Sequence, residues 1–367
     1  MTRPIEGVGT AIAAFVGLAE DGPVGTPVPI DGWGSYEDEF HRATGTGALG
    51  REVQDFFTNG GVSAVVVRIE DAGIAAVRVG LEALDQVDLV NLLVLPAESA
   101  EQDDAGAIVA EAAAFCERRR AMLLVDPPPS WTSAAAIEAA LARGVATAVG
   151  TASPNAALYV PRLSRSGSAS AGGNAIAAAA GAVAGVIART DATQGVWTAP
   201  VGMDAELRGA DALEFALDQD DVRALTTAGV NALRTFPGRG PVVWGARTLA
   251  GADAAASEWK YVPVRRTALF LEESIERGLQ WTLFEPNDEP LWQAVRESVG
   301  TFMHDLFRSG AFHGHTADQA YFVRCDGDTV TQRAREAGDL VVLVGFAPIR
   351  PAEFVVLSIR AHALPTT

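Results

Sequence analysis

Between residues 60 and 190 the chain alternates short, continuously apolar segments with longer helical ones, and this alternation constrains the fold most. The apolar segments 63–70, 91–96, 121–129 and 156–163 have the length of strands and lack polar alternation. Strands of this kind are buried on both faces, which requires a parallel or mixed sheet covered by helices on each side. The sequence therefore predicts a mixed-sheet α/β layer domain.

Helical patterns flank and separate these segments. They are predicted at residues 47–59, 103–120, 133–144 and 173–190. Residues 11–18 form a further apolar segment of strand length, and the Gly- and Pro-rich stretch 20–33 after it is predicted to be a loop. The run 175–188 is the most apolar part of the chain, but it is shorter than the roughly 18 residues that a membrane span needs.

From about residue 205 the pattern changes to that of an α+β domain. A helical stretch (207–229) precedes a strand–turn–strand segment (230–248), and the segment from Glu258 is predicted to change from strand to helix near Thr267. Residues 291–312 form the strongest amphipathic helix, because apolar side chains recur there at three- and four-residue spacing. Three strands are predicted to follow, at 319–326, 339–348 and 351–364.

Charge excludes two classes of partner. The 367 residues carry 28 basic and 46 acidic side chains, which gives a formal net charge of −18. Nucleic acids and anionic membranes require basic surfaces, so we expect no nucleic-acid partner and no direct membrane insertion. The two cysteines, Cys116 and Cys325, have no CxxC spacing and are predicted to be reduced, partly buried thiols.

The sequence contains no recognisable set of catalytic residues. The chain has no GxSxG elbow, no Walker A motif and no HExxH motif. Gly7 and Gly9 precede a strand, whereas a phosphate loop follows one. His313 and His315 lie in a glycine-rich stretch that is better interpreted as a solvated turn than as a metal site. We therefore expect no catalytic residue, no metal and no cofactor.

The C-terminal third is instead rich in large aromatic side chains and arginines. Aromatic and arginine enrichment is typical of protein–protein interfaces. The alternative is an aromatic core with arginines on the surface. The candidate interface residues are Arg265, Arg266, Trp281 and Trp292.

Several long segments resemble the contractile tail sheath proteins of phages and of related contractile injection systems. In the C-terminal third these are WGARTL (244–249), the segment from Glu258 to Trp292, AYFVRCD (320–326) and FAPIRPAEFVVLSI (346–359). Upstream, the segments 5–23, 56–69 and 184–200 resemble the N-terminal and central parts of the same family. The resemblance covers nearly the whole chain, in order.

The resemblance implies a noncatalytic, mechanical protein. Family members polymerise as stacked hexameric rings, or a six-start helix, around an inner tube. They are assembled extended on a baseplate and bounded by a terminator or cap. On a trigger the sheath shortens and widens, driving the tube and its spike through a target envelope. We therefore expect assembly in the cytosol, within a phage tail or a tail-like particle that lysis can release; the sequence does not distinguish between these two particles.

The family also implies that terminal arms add strands to the sheets of neighbouring subunits. The last predicted strand alternates, with Phe354, Val356 and Ser358 on one side and Val355, Leu357 and Ile359 on the other. It is the candidate exchanged strand; the alternative is an ordinary edge strand within the chain. Relatives usually begin with an extended arm before the segment that starts here at Arg3. Either that arm is missing, and with it the N-terminal half of the exchange, or the start of this sequence is internal.

The amphipathic helix 291–312 is the candidate contact with the tube. Arg296, His304 and Arg308 recur at multiples of four and share roughly one side of it. Such a stripe can hold an acidic tube through weak, releasable ion pairs. The alternative is a solvated helix face.

These expectations give a two-domain organisation. Residues 1–20 and 200–367 are predicted to build an inner α+β assembly domain, and residues 21–199 an outer α/β domain. The alternatives to a sheath subunit are an α/β enzyme with an unrecognised site and an accessory sheath paralogue that lacks the N-terminal arm.

Overall fold

In the computed structural model, the apolar segments of the sequence form the strands of an eight-stranded sheet. The structure describes residues 3–40, 47–96, 104–165, 175–349 and 355–366. It divides into a larger unit (Gly9–Gln194 and Ala199–Arg265) and a C-terminal unit (Met1–Val8, Gly195–Thr198 and Arg266–Thr367).

Among its described residues the larger unit contains eleven strands, eight complete α-helices and two short 3₁₀ segments (Leu84–Gln86 and Asp253–Ala255). The strands are β1 (Ala13–Leu18), β2 (Pro27–Ile30), β3 (Ala64–Ile69), β4 (Leu92–Val94), β5 (Met122–Val125), β6 (Ala156–Val160), β7 (Leu163–Arg165), β8 (Ala175–Ala177), β9 (Ala212–Leu213), β10 (Asn231–Thr235) and β11 (Pro241–Val243). The helices are α1 (Trp33–Phe40), α2 (Ala48–Asn59), α3 (Ile74–Ala83), α4 (Ala105–Arg118), α5 (Ala134–Leu141), α6 (Val145–Val149), α7 (Ala180–Gln194) and α8 (Gln219–Thr227).

The eight-stranded sheet has the order β11-β10-β6-β5-β4-β1-β3-β2. The strands from β10 to β3 pair in parallel, and the edge strands β11 and β2 pair antiparallel. A separate small sheet has the order β8-β7-β9. The prediction of a mixed-sheet α/β fold is confirmed.

Alternate side chains of the strands enter cores on the two faces of the sheet. Phe15 of β1 packs with α2 and α7 on one face, and its neighbour Val16 packs with α3 and α4 on the other. On the first face α7 approaches α2 at backbone distance. A Cβ atom on Gly181 would lie 2.1 Å from the carbonyl oxygen of Glu52, and one on Gly185 2.4 Å from that of Phe56. The small residues of the apolar run 175–188 therefore serve close helix packing.

Three local predictions in this unit were wrong. Residues 27–30 form an edge strand rather than a loop, because an edge position tolerates Pro27 and Pro29. Residues 175–177 form β8, paired with β7, before α7 begins at Ala180. The stretch 207–229 is helical only over α8, and Ala212–Leu213 pairs with β7 instead.

The observed division also differs from the predicted domain boundaries. Residues 9–20 belong to the larger unit because β1 lies inside its sheet, between β4 and β3. Residues 199–265 belong there too, because β10 and β11 extend the same sheet. Only residues 1–8 of the N-terminal segment fall in the C-terminal unit.

The remaining helices and strands form the C-terminal unit and the segment that leads into it. They are α9 (Val262–Gly278), a short 3₁₀ segment (Gln280–Phe284), α10 (Glu289–Arg308), α11 (Ala317–Ala320), β12 (Tyr321–Arg324), α12 (Gln332–Ala337), β13 (Asp339–Phe346) and β14 (Val355–His362). Helix α9 begins at Val262, five residues before the predicted change at Thr267. Proline is tolerated at position 263 because the N–H groups of the first turn have no partner within the helix, so the missing N–H of Pro263 costs no helical hydrogen bond. Among the described residues no helix is both long and apolar enough to cross a bilayer.

Candidate assembly surface

The C-terminal unit presents a three-stranded antiparallel sheet with the order β12-β13-β14. All eight residues of β14 pair with β13, from Val355 opposite Phe346 to His362 opposite Asp339. Within the described part of the chain, neither β12 nor β14 pairs with another strand on its outer side. The sheet therefore has two edges at which a strand from another chain can add.

The alternation predicted for β14 is present. Val355, Leu357 and Ile359 are buried, whereas Val356 is half exposed and lies on the opposite face with Ser358 and Arg360. Phe354, the other residue assigned to this strand, lies outside the described residues. The strand thus has one apolar face to dock on a core and one polar face to remain in solvent.

The end of β14 is tied to the segment between α9 and α10. The buried Thr282 hydroxyl donates to the carbonyl oxygen of His362 at 2.6 Å. Leu364 then runs beside this segment: its N–H donates to the carbonyl of Glu285 at 2.9 Å, and its carbonyl accepts from the N–H of Asn287 at 3.1 Å. In the single chain, β14 is therefore held at its end as well as along its length.

Asn287 is the centre of this connection and is fully buried. Its side chain donates to the carbonyl of Asp339 at 3.0 Å and accepts from the indole N–H of Trp292 at 2.8 Å. Its carbonyl accepts from the Thr366 hydroxyl at 2.8 Å. One asparagine thus joins the start of β13, the helix α10 and the segment after β14. A single asparagine in a turn carries no periodic signal, and sequence reasoning missed it.

The candidate tube-contact residues lie on α10 in different environments. Arg296 donates to the carbonyl of Cys325 and pairs with Glu289 at 2.8 Å. His304 is exposed, with its ring Nδ1 3.3 Å from the Tyr321 hydroxyl. Arg308 is exposed at the last turn of the helix. The first two residues thus contact the β12 side of the unit, whereas Arg308 forms no hydrogen bond or ion pair with a described residue.

The candidate interface residues divide between surface and interior. Arg266 and Trp292 are only 4% and 5% exposed, so they belong to the interior of this chain. Trp281 is half-buried, and the Arg3 guanidinium lies 5.4 Å from the centroid of its ring. In the larger unit, Arg265 stacks on Trp259 at 4.6 Å and donates to Asn155 at 2.8 Å. The aromatic-core alternative therefore holds for Trp292.

The N-terminal segment lies along α9 and α10 and is held by two buried hydroxyls. The N–H of Val8 donates to Ser274 Oγ at 3.1 Å, and the N–H of Arg3 donates to Ser298 Oγ at 3.2 Å. Ile5 packs against Gly278, where an added Cβ would lie 2.7 Å from the isoleucine side chain. The segment is thus a fixed part of the C-terminal unit.

The described residues contain no group of three histidine, cysteine or carboxylate side chains that could hold a metal ion. Both cysteines are buried and unbonded to each other. Burial raises the pKa of the Cys116 thiol, and it raises that of Cys325 to about 12. Neither thiol is therefore a nucleophile near neutral pH.

Two family models match the chain. The phage tail sheath protein central domain matches residues 73–249, and the phage tail sheath C-terminal domain matches residues 254–362. Among curated proteins, the chain is 25% identical over 183 residues to the tail sheath protein of Vibrio phage KVP40. That match spans 50% of this chain and only 26% of the phage protein.

Solved structures of contractile particles are similar over almost the full chain. The helical sheath of the anti-feeding prophage in its contracted state matches with a TM-score of 0.79 and 28% identity, covering 97% of this chain and 94% of that one. The contracted PVC sheath complex of an extracellular contractile injection system matches with a TM-score of 0.78 and 28% identity, covering 97% and 92%. These relatives are structural sheath proteins, which confirms the prediction that the chain is not an enzyme. The chain belongs to the contractile tail sheath family, the sheath proteins of phage tails and contractile injection systems.

Proposed function

We propose that the chain polymerises as stacked hexameric rings around an inner tube and contracts to drive the tube and its spike through a target envelope. The observation that carries the proposal is the β12-β13-β14 sheet, which combines two open edges with a terminal strand of alternating burial. Backbone pairing is directional and tolerates rotation of the attached units, so a mesh of added strands can persist while the sheath changes shape.

Strand exchange in this proposal uses β14. The strand is joined to β13 through the eight residues 347–354, and eight extended residues reach at most about 28 Å. A neighbour's β14 can form the same pairs with β13 that this chain's own β14 forms, because identical contacts are available within and between copies. Val355, Val356, Leu357 and Ile359 would then cross the interface between subunits, and Phe354 belongs to the same proposed strand.

The candidate interface residues support this assembly from inside the subunit. Arg266 and Trp292 are buried and would act through the interior of the subunit, while Trp281, beside Arg3, and Arg265, beside Trp259, would shape the surfaces that a neighbour meets. No nucleotide or cofactor enters the mechanism; the driving free energy is the difference in packing between the extended and contracted lattices. The further partners are the baseplate and a terminator or cap. The particle is assembled in the cytosol and released by lysis.

The tube contact is proposed on α10, through Arg308 with Arg296 and His304 beside it. Charge reversal of Arg308 removes an exposed ion pair worth under about 1 kcal/mol, and many copies along a tube multiply that loss. Arg308→Glu is expected to reduce copurification of sheath with tube, whereas Arg223→Glu, an exposed arginine on α8, is a matched control. Equal copurification of both variants with wild type would refute the tube contact.

Electron microscopy of the purified chain tests polymerisation itself. Long, striated, hollow cylinders are expected. A homogeneous monomer or dimer at every concentration would contradict the proposal. The accessory-paralogue alternative predicts cylinders only when another sheath protein is present.

A further inference from the structure

The hairpin of β10 and β11 carries an aromatic and arginine cluster at the surface, named here the hairpin patch (Arg234, Phe236, Arg239 and Trp244), in which Arg239 and Trp244 are exposed and Arg234 and Phe236 half-buried. The Arg234 guanidinium lies 5.2 Å from the ring centroid of Phe236 and 5.6 Å from that of Trp244. The two rings are themselves 4.9 Å apart. Trp244 is 38% exposed, which is unusual for a tryptophan that serves only a core.

Apolar side chains extend this patch. Val201 and Met203 are exposed, and their segment is fixed beside the hairpin: Gly202 N–H donates to the carbonyl of Val243 at 2.9 Å, and Arg239 donates to that of Met203 at 3.3 Å. Among the residues the structure describes, neither Arg234 nor Arg239 has a carboxylate within 4.0 Å. Tryptophan and arginine are enriched at interface hot spots, and Arg234 adds a cation–π contact with both rings of the patch.

The acidic counterpart lies on α1. Glu37, Asp38 and Glu39 are consecutive and exposed, and none forms an ion pair with a described residue. A further acidic cluster, at the start of α8, is already engaged. Its Asp218 and Asp221 form a reciprocal capping box, and Asp220 pairs with Arg223 at 3.0 Å. Helix α1 therefore offers three adjacent exposed carboxylates that form no ion pair with a described residue.

The two surfaces lie at opposite edges of one sheet. The hairpin patch is on β10 and β11 at one end of the strand order, and α1 begins three residues after β2 at the other. Seven strand spacings separate the edge strands by about 34 Å. Complementary surfaces at opposite ends of a rigid unit join copies head to tail, and such contacts propagate into rings or helices.

Neither edge of the sheet can continue by strand pairing. Pro27 and Pro29 remove backbone donors from β2. The outer side of β11 is covered by the segment 205–207, whose Leu207 N–H donates to Pro241 at 2.8 Å and whose Ala205 carbonyl accepts from Val243 at 3.0 Å. A contact between these edges must therefore be made by side chains.

We propose that the hairpin patch of one copy binds the Glu37–Asp38–Glu39 face of α1 on the next copy, as a head-to-tail contact between larger units. The inference rests on the proposed function only for the existence of a polymer. It adds a second interface, in the larger unit, to the strand exchange proposed for the C-terminal unit. Because the contact pairs opposite charges at the protein surface, it is expected to weaken as ionic strength rises.

Charge exchange between two variants tests the contact. The first variant carries Arg234→Glu with Arg239→Glu, and the second carries Glu37→Arg with Asp38→Arg. Each variant alone places like charges at the contact, so its self-association in sedimentation velocity is expected to fall by roughly tenfold or more. In an equimolar mixture, each contact between unlike variants again joins opposite charges, so alternating copies are expected to associate as wild type does.

The matched control is Arg143→Glu with Arg223→Glu, which changes the net charge equally at exposed positions away from the patch. If the first variant and the control associate as wild type does, or if the mixture fails to associate, the inference is overturned and the proposed function stands. If wild type itself never associates, both are overturned. Recovery only in the mixture supports the contact.

Discussion

The indole N–H of Trp292 donates to Oδ1 of the fully buried Asn287 at 2.8 Å, and this bond joins α10 to the segment that holds the end of β14. The same asparagine donates to the carbonyl of Asp339 at the start of β13. The sheet proposed for subunit exchange is therefore anchored through one polar side chain.

Removing that side chain is expected to destabilise the protein. Asn287→Ala leaves the buried indole N–H of Trp292 and the part-buried carbonyl of Asp339 without this partner, and a buried unsatisfied group costs about 1–3 kcal/mol. Urea denaturation followed by tryptophan fluorescence measures the loss. Gln293→Ala, at an exposed position on the same helix, is the control and is expected to change stability by less than about 0.5 kcal/mol. Equal effects of the two substitutions would contradict the role given to Asn287.

Two helical glycines are expected to respond in opposite directions to the same substitution. A Cβ atom at Gly185 meets the carbonyl oxygen of Phe56 at 2.4 Å, so Gly185→Ala is expected to destabilise by about 1–3 kcal/mol. Gly300 lies inside α10 with open space around its added Cβ, so Gly300→Ala is expected to stabilise by about 0.5–1 kcal/mol. Thermal unfolding of both variants measures the difference. A Gly185→Ala variant as stable as wild type would refute the close approach of α7 to α2.

A buried acidic cluster at the start of α7 is expected to give stability a pH dependence. Burial raises the pKa of Glu52 well above its ordinary value, and the charges of Asp126 and Asp55 raise it further. The N–H of Gly181 and the positive charge of Arg165 act in the opposite direction. Asp55 pairs with Arg165, and burial nevertheless raises the pKa of this carboxyl as well.

The sign follows from proton binding. Between the ordinary glutamate pKa and the raised one, the folded protein binds more protons than the unfolded chain, so stability falls as pH rises through that interval. Glu52→Gln mimics the protonated form and is expected to be more stable than wild type above the interval and similar below it. Urea denaturation at a series of pH values checks this. A stability difference that does not vary with pH would exclude Glu52 as a source of the dependence.

Much of the larger unit's fold was predictable, because its strands are buried on both faces and show as uninterrupted apolar runs. The failures have identifiable causes. Val262 and Val264 are β-branched and favour a strand, yet Pro263 between them is favoured in the first turn of a helix. Residues 175–177 continue an alanine-rich helical pattern, but pairing with β7 decides their conformation. Such tertiary pairing overrides local propensity.

The candidate surfaces were predictable only where the sequence shows a periodic pattern of apolar and polar residues. The alternation of β14 is visible in the sequence and is present in the structure. The burial of Arg266 and Trp292 was not visible, because aromatic and arginine enrichment has the same appearance in a core and in an interface. Asn287 and the Arg234–Trp244 stack depend on contacts between residues 5 and 10 positions apart or more, and no helical or strand period records them.

A disulfide trap tests most directly whether β14 is exchanged between subunits. Leu343 of β13 and Ser358 of β14 are paired, so Leu343→Cys with Ser358→Cys places two thiols across the two strands. The native cysteines are buried, with thiol pKa values raised by burial, and do not compete. Each single-cysteine variant is the control. After oxidation of assembled sheath, we expect a ladder of covalently linked subunits on a non-reducing gel; linkage confined to monomers would contradict strand exchange.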